Sequence, residues 1–391
     1  MASTYSLSEL TLVKATPEQA IITNKNSFGE WGTHLSLEQY LSRETSLASL
    51  PFTSENFTVW VLVPRSTPET TTNILSACET FLRPALIISS SLQKQNCYSI
   101  ASVFTPQEHR KNGYASYMME LLGKKLKENF QEVGFSFLYS DVGPVFYSRH
   151  GWKVFEHKEI QFNIENENFD SITSEAINVT QLSYSDIEEI TKYDCSLIEK
   201  EIDFNSTKYK VVSLPTFECF EWTFARSEFY AKVKGFKEPN IWGAKVTNKE
   251  DKVIGFVLWT YNFSDNTLQI LRIRSPDTNT TKLLIRQAKL YASYYNFKKI
   301  TVWNPDLKLF TETVFIEGGE LIERTKSLPS LAWYNNKSSS SSKDDVEWIL
   351  NEIEVNSPID KCDYTTVGEL LWSPQAGTRG GYFLLNILLD T

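Results

Sequence analysis

The sequence predicts an α/β protein, of the mixed-sheet α+β kind, built from two consecutive modules. Three observations carry that expectation. A chain of 391 residues is about two to three times the length of an ordinary domain. Between Tyr98 and Tyr139 an apolar strand, a polar turn, an amphipathic helix and a second strand follow one another. The order of strands, helix and strand then returns between Trp242 and Trp303. Residues 1–175 are read as the first module and residues 176–391 as the second.

In the first module, Leu10–Val13 reads as a strand, and Thr16-Pro17-Glu18 as a helix start with proline just inside it. Asn26–Thr33 reads as a loop, and Ser36 as the N-cap of a helix over Leu37–Arg43. Phe57–Val63 (FTVWVLV) is a strand stopped by Pro64. Extended structure resumes at Ile74 and runs through Cys78-Glu79-Thr80 to Leu82, where Pro84 ends or kinks it. Tyr98–Thr105 is the next strand. Beyond a turn, Tyr114, Tyr117, Met118, Leu121, Leu122, Leu126 and Phe130 recur at helical spacing, with Glu120, Lys124, Lys125, Lys127 and Glu128 on the other side. Phe135–Tyr139 (FSFLY) is a buried strand rich in aromatics. A short helix around Tyr147 and a strand opening at Trp152 close the module. Gln161–Ala176 is polar and acidic and reads as a linker.

The second module opens with a strand over Val179–Leu182 and an acidic helix capped by Ser185 that runs through Tyr193. Glu221–Ala231 reads as helical. Trp242–Val246, Val253–Tyr261 and Thr267–Arg274 are three successive strands, the second hairpin closed by Asp265-Asn266. A helix over Thr280–Tyr295 and a strand over Lys299–Trp303 follow. Asn335–Asp345, with its serine run, is expected to be a flexible loop. Val346–Glu354 reads as a helix, and the apolar end of the chain as a strand packed into a sheet.

Composition narrows the function classes. A net charge of −9 argues against a nucleic-acid surface and suits a small amine. The five cysteines, Cys78, Cys97, Cys195, Cys219 and Cys362, form no CxxC pair, which fits a reducing compartment better than a disulfide framework. The four histidines show no metal spacing, so no metal is expected. The first residues lack the features of a secretory signal, and no run of about 18 apolar residues occurs. A cytoplasmic protein without a membrane span is expected.

The chemistry is concentrated in the turn Arg110-Lys111-Asn112-Gly113-Tyr114-Ala115. Gly113 can take positive φ, and successive N–H groups opening onto a helix N-terminus make an anion cradle. Arg110 and Lys111 add positive charge, so a pyrophosphate suits the turn. With Arg110, Gly113 and Ala115 placed as in Q/R-x-x-G-x-G/A, the stretch resembles the acyl-CoA loop of the GNAT acetyltransferase superfamily. Phe146-Tyr147-Ser148-Arg149-His150-Gly151-Trp152 resembles the second signature of that superfamily, F-Y-x-x-x-G-W. The resemblance implies an N-terminal GNAT fold that takes acetyl-CoA as acyl donor. Val103 and Thr105 would meet the pantetheine through their main chain. Arg110, Lys111, Asn112, Gly113, Tyr114, Ala115 and Ser116 would hold the pyrophosphate. Tyr147 would protonate the leaving thiolate.

An ammonium acceptor must lose a proton before it attacks. Glu79 interrupts an apolar run; it either faces solvent from a half-buried strand or faces an acceptor cleft and takes that proton. Asp141 is the next candidate base, or else an N-cap for the helix carrying Tyr147. Glu108 and His109 are further candidates, or shape the loop. No cysteine sits in a nucleophile motif, so direct transfer is expected rather than an acyl-enzyme. In the second module the order of meander, helix and strand returns, but the connection Ser275–Thr280 has no glycine and no basic residue, so a degenerate GNAT-like module without a second acyl-CoA site is expected, or else an unrelated α+β domain. The phrases ACETFLRPAL and SDVGPVFYSRHGW resemble the fungal lysine N6-acetyltransferases of lysine catabolism, implying free lysine as acceptor. A protein, peptide or polyamine N-acetyltransferase, and a non-catalytic acyl-CoA-binding protein, are the alternatives.

Overall fold

The computed structural model describes residues 5–128, 132–164, 178–202, 204, 206–307, 310, 318–334 and 345–349. Phe130, most of the serine-rich stretch at 335–345, residues 350–354 of the expected last helix, and the apolar end of the chain lie outside the described residues.

The strand β1 (Leu10–Lys14) leads into three helices, α1 (Pro17–Trp31), α2 (Leu37–Ala48) and α3 (Pro51–Asn56). Thr16 and Ser36 each close a capping box on a glutamine three residues on, which starts α1 and α2 where the sequence predicts. The expected loop at Asn26–Thr33 is corrected: α1 continues to Trp31. Phe28 and Trp31 pack against the largest core cluster. That burial outweighs the roughly 1 kcal/mol that Gly29 costs a helix.

A mixed sheet then assembles from β1, β2 (Phe57–Pro64), β3 (Ser76–Ile88), β4 (Leu92–Phe104) and β5 (Val133–Ser140). Neighbours are antiparallel except β4 and β5, which run parallel and are joined by α4 (Tyr114–Glu128). Tyr114, Met118, Met119, Leu122 and Leu126 are buried along α4, in one cluster with Ile100 and Leu138 of the sheet. Pro84 neither ends nor kinks β3. On its outer edge β3 pairs with β2 as far as Phe81 and from Ala85 with β9 (Tyr209–Ser213). Pro84 falls between those two partners, where its carbonyl still accepts the Leu214 N–H at 2.8 Å and no N–H is needed from it.

After α5 (Val145–Arg149) the chain makes only a two-residue strand, β6 (Lys153–Val154), in this sheet. It then crosses to a second sheet as β7 (Lys158–Asn163), so Gln161–Asn163 are strand and not linker. The second sheet also holds β8 (Asn178–Ser183), β10 (Ile241–Thr247), β11 (Val253–Asn262), β12 (Thr267–Arg274), β13 (Lys299–Trp303) and β14 (Gly319–Glu323). In return, β15 (Leu328–Trp333) inserts into the first sheet between β5 and β6. The two halves of the chain therefore exchange strands. The helices of the second half are α6 (Tyr184–Lys200), α7 (Phe217–Lys234) and α8 (Thr278–Tyr294). Ser183, not Ser185, caps α6, because Asp186 completes a capping box with it. Val346–Trp348 is a strand, β16, parallel to β9, rather than the start of a helix. Val346 and Trp348 are buried and Glu347 is exposed, an alternation that suits a strand.

Candidate active site

The site starts where β4 and β5 part. They pair from Asn96↔Val133 to Ile100↔Leu138 and no further, so Ala101–Phe104 and the end of β5 diverge. On its other edge β4 carries a bulge: two steps along β3, from Ala77 to Glu79, match three along β4, from Phe104 to Ala101. Ser102 absorbs the extra residue with φ at 53°, a left-handed conformation uncommon outside glycine. The bulge aims its hydroxyl at Glu79, and Ser102 Oγ donates to Oε2 at 2.5 Å.

The turn after β4 is tied from several sides. His109 is buried and meets Asn73 Oδ1 at 2.9 Å. Asn112 Nδ2 donates to the carbonyls of His109 and Arg110, and Arg110 Nε to that of Thr105 at 3.0 Å. Arg110 also pairs with Glu30 at 3.1 Å. Thr105 is buried, its hydroxyl 3.0 Å from that of Ser76. Lys111 and Gly113 take φ of 66° and 77°, and the first helical bond of α4 runs from the Tyr117 N–H to the Gly113 carbonyl. A Cβ added to Gly113 would meet nothing within 4 Å, so the space over the turn is open. The turn is thus a preformed concave backbone at the start of a helix, which is what a pyrophosphate fits. Two of the expected contact side chains are engaged elsewhere. Tyr114 is fully buried with its hydroxyl on the backbone of Tyr5, and Ser116 Oγ lies 2.9 Å from His150 Nε2.

Tyr147 is buried on α5 in the same core cluster as Cys78 and Met118, with Val103 packed against that cluster. Burial pushes its phenol well above the usual range, and the charge of Asp141 adds to this. Among the described residues its hydroxyl has no hydrogen-bond partner. Gly151, at φ 105°, turns the chain after α5, and Trp152 beyond it is fully buried, donating from Nε1 to Ser136 Oγ at 2.9 Å. The residue at the N-cap of α5 is Pro144, so Asp141 does not cap this helix. Its carboxylate accepts the Ser327 N–H at 2.8 Å and the Ser327 hydroxyl at 3.1 Å, fastening the start of β15.

Glu79 borders a small cavity of ≈ 50 Å³ that opens to solvent. Trp31, Tyr40, Phe104 and Trp222 give it aromatic walls, and Arg43, Glu44 and Arg226 charged ones. Cys78 and Ser102 also border it, so it adjoins both the cluster of Tyr147 and the parting strands. Burial raises the Glu79 carboxyl to about 7, helped by the Glu44 charge and opposed by the Ser102 hydrogen bond and Arg43. Arg43 is itself buried. It donates to Glu44 Oε1 from Nε at 2.8 Å and Nη2 at 2.5 Å, and from Nη1 to the Tyr230 hydroxyl. Trp222, Arg226 and Tyr230 stand at i, i+4 and i+8 on α7, so one stripe of a helix from the second half faces this region. The sequence reading missed Arg43, Glu44, Trp222 and Arg226. The Trp-Arg-Tyr stripe within EWTFARSEFYA was the available signal.

The second half repeats the layout without the cradle. β12 and β13 run parallel and are joined by α8, as α4 joins β4 to β5. Here Asp277 caps the helix, accepting the Thr280 N–H at 2.9 Å.

Comparison with known proteins follows the same lines. Residues 161–353 match the model of the LYC1 GNAT-like C-terminal domain. A protein of Yarrowia lipolytica (strain CLIB 122 / E 150) named lysine acetyltransferase is 26% identical over 352 residues, covering 77% of this chain and 85% of that one. Among solved structures, a protein of Enterococcus faecalis V583 described as a "Probable N-Acyltransferase" aligns with a TM-score of 0.56 at 14% identity, over 83% of this chain and 73% of that one. A GCN5-related N-acetyltransferase of Anabaena variabilis ATCC 29413 aligns at 0.53 and 13% identity, over 83% and 73%. At such identities the shared property is the fold. No described helix is long and apolar enough to cross a membrane.

Proposed function

We propose that this chain, an acetyltransferase of the GNAT type, moves the acetyl group of acetyl-CoA directly to a small amine, most specifically the N6 amine of free L-lysine. The observation that carries the reading is the cavity beside the parting strands, where Glu79 meets charges of both signs within aromatic walls. A zwitterion with a long cationic side chain suits such a space better than a peptide does, because a peptide needs an open groove. The fungal relative named lysine acetyltransferase points the same way. A cytoplasmic role in lysine catabolism is part of the same proposal.

In this reading residues 1–175 supply the catalytic groups and the second half walls the acceptor. The cradle at Arg110–Ser116 would hold the pyrophosphate through its main chain, with Arg110 and Asn112 shaping the turn. Acetyl-CoA brings a thioester whose carbon is already activated. Glu79 takes a proton from the ammonium, directly or through water. Its pKa near 7 lets it exist as a base while still holding an appreciable proton affinity. As the C–N bond forms and the C–S bond breaks, the Tyr147 hydroxyl gives a proton to the departing thiolate, and the second proton leaving the nitrogen restores the phenol, directly or through water. Asp141, bound to Ser327, is the weaker candidate for the base.

The test is thiol release from acetyl-CoA with L-lysine, a lysine-containing peptide and a polyamine offered separately. Lysine-dependent release with N6-acetyl-lysine as product is expected. Turnover of the peptide alone would reject the acceptor. Acetyl-CoA binding without turnover of any amine would favour a non-catalytic binding protein.

A further inference from the structure

We infer that Ser102 is a positioning residue for the acetyl transfer, placed by the bulge of β4 to orient and activate the Glu79 carboxylate as base. The inference rests on the reading of Glu79 as the base and adds to it the group through which the fold controls that carboxylate. Ser102 stands at φ 53°, in left-handed backbone, where it absorbs the extra residue of the bulge. Such backbone is comfortable for glycine and strained for a residue with a Cβ, so a bulge needed only for its shape is better built with glycine. Serine adds one thing that glycine lacks, a hydroxyl, and that hydroxyl donates to Glu79 Oε2 at 2.5 Å. Strain held at one residue, with its side chain on a carboxyl in a cavity wall, points to function.

The hydroxyl does two things for Glu79. It fixes a side chain with several rotatable bonds, using one carboxylate oxygen and leaving Oε1 to take the proton. It also favours the charged carboxylate, because a donor stabilises the ionised form. The charged and titratable groups facing Glu79 across the cavity are Tyr40, Arg43 and Glu44 from α2 and Arg226 from α7, with Cys78 beside it on β3. The cavity residues of α1 and β2 carry no charge. Burial and then the Glu44 charge push the carboxyl up, and the Ser102 bond and Arg43 oppose them. Arg43 acts at a distance, its donors going to Glu44 and Tyr230, whereas Ser102 acts by direct contact. The bulge lies just past Ile100, the last residue of β4 paired with β5. The parting of the strands and the setting of the base are thus one feature of the backbone.

The experiment follows kcat/KM for L-lysine against pH in wild type, Ser102→Gly, Ser102→Ala, Glu79→Gln and the Ser102→Gly/Glu79→Gln double variant. The acid limb reports the base of the free enzyme. Without the hydroxyl, Glu79 should keep its proton to higher pH, and the limb should rise by roughly one unit, the scale of a lost hydrogen bond to a charged group. Turnover at pH 7 should then drop about fivefold and recover by pH 9, with the acetyl-CoA KM little changed. Ser102→Gly relieves the backbone and should melt above Ser102→Ala, yet the limb should move equally in both. In the Glu79→Gln background, Ser102→Gly should cause no further loss. An unmoved limb in folded Ser102→Gly would overturn the inference and leave Glu79 as base. So would a shift confined to Ser102→Ala, which would make the bulge a matter of backbone alone, or an added loss in the double variant, which would give the hydroxyl another target. Glu79→Gln with the wild-type limb and turnover would overturn the base reading, and the inference with it.

Discussion

Glu79 is pushed up to about 7, chiefly by burial and then by the Glu44 charge, and that has consequences for both stability and rate. The sign follows from where each state holds its proton. Unfolded, the carboxyl releases it near 4.5; folded, it keeps it to about 7. Between those values the folded chain binds more protons, so stability falls as pH rises and levels off above 7. The full displacement is worth up to about 3 kcal/mol. Glu79→Gln keeps an acceptor for the Ser102 hydroxyl and carries no charge. Denaturant melts should find the variant more stable than wild type at pH 8, and no more stable at pH 4.5. Lysine turnover should fall by about 10²- to 10⁴-fold near neutrality, the range of general-base help. That loss should shrink toward pH 10, as more of the amine arrives neutral. A variant with wild-type turnover across this range would remove Glu79 from the mechanism and leave Asp141 to be tried.

The turn from Thr105 to Ser116 is tied down from several sides, because His109, Arg110 and Asn112 spend their side chains on its own backbone or on Asn73 and Glu30. Gly113 is the position that cannot be exchanged. A β-branched residue at φ 77° costs about 1–2 kcal/mol, and its side chain would enter the open space over the cradle. Gly113→Val should therefore raise the acetyl-CoA KM at least about tenfold while the thermal midpoint drops only a few degrees, read by kinetics and calorimetry on the same preparation. An unchanged KM in the folded variant would move the pyrophosphate elsewhere. This turn was legible in the sequence because its parts are contiguous: a strand, a glycine and an amphipathic helix in one run. Most strands were legible for the same reason. The exchange of β7 and β15 between sheets was not, since alternation says that a strand has two faces and not which sheet receives it. The course of β3 through Pro84 depends on the distant β9, and the length of α1 on where Phe28 and Trp31 come to rest. Half of the cavity beside Glu79 was hidden likewise. Arg43 and Tyr230 are 187 residues apart, and only the docking of α7 brings Arg226 to Glu79's cavity.

At the scale of the molecule, two similar halves have come to hold unequal parts. The second half lends β15 to the first sheet and α7 to the cavity, and keeps a strand–helix–strand unit, β12–α8–β13, that matches the layout of β4–α4–β5. At the start of α8, where a pyrophosphate would need N–H groups and positive charge, the Asp277 carboxylate already accepts the Thr280 N–H. A carboxylate at that helix terminus satisfies the donors and repels an anion. The arginines near the end of β12 offer no remedy. Arg272 and Arg274 both bind Asp194, at 2.7 and 2.8 Å, and Arg274 also pairs with Glu201. Burial alone would push the Asp194 carboxyl up, but the two guanidinium groups outweigh it and hold it below the usual carboxylate range, so pulling either arginine away would leave a buried charge exposed to that penalty. The chain should accordingly bind one acetyl-CoA. Titration calorimetry on the full chain should give a stoichiometry of one, and Gly113→Val should weaken that single event. Two equivalent sites, or a full-affinity site that survives Gly113→Val, would mean that the Ser275–Thr280 connection cradles a pyrophosphate despite Asp277, and the division of labour between the halves would have to be redrawn.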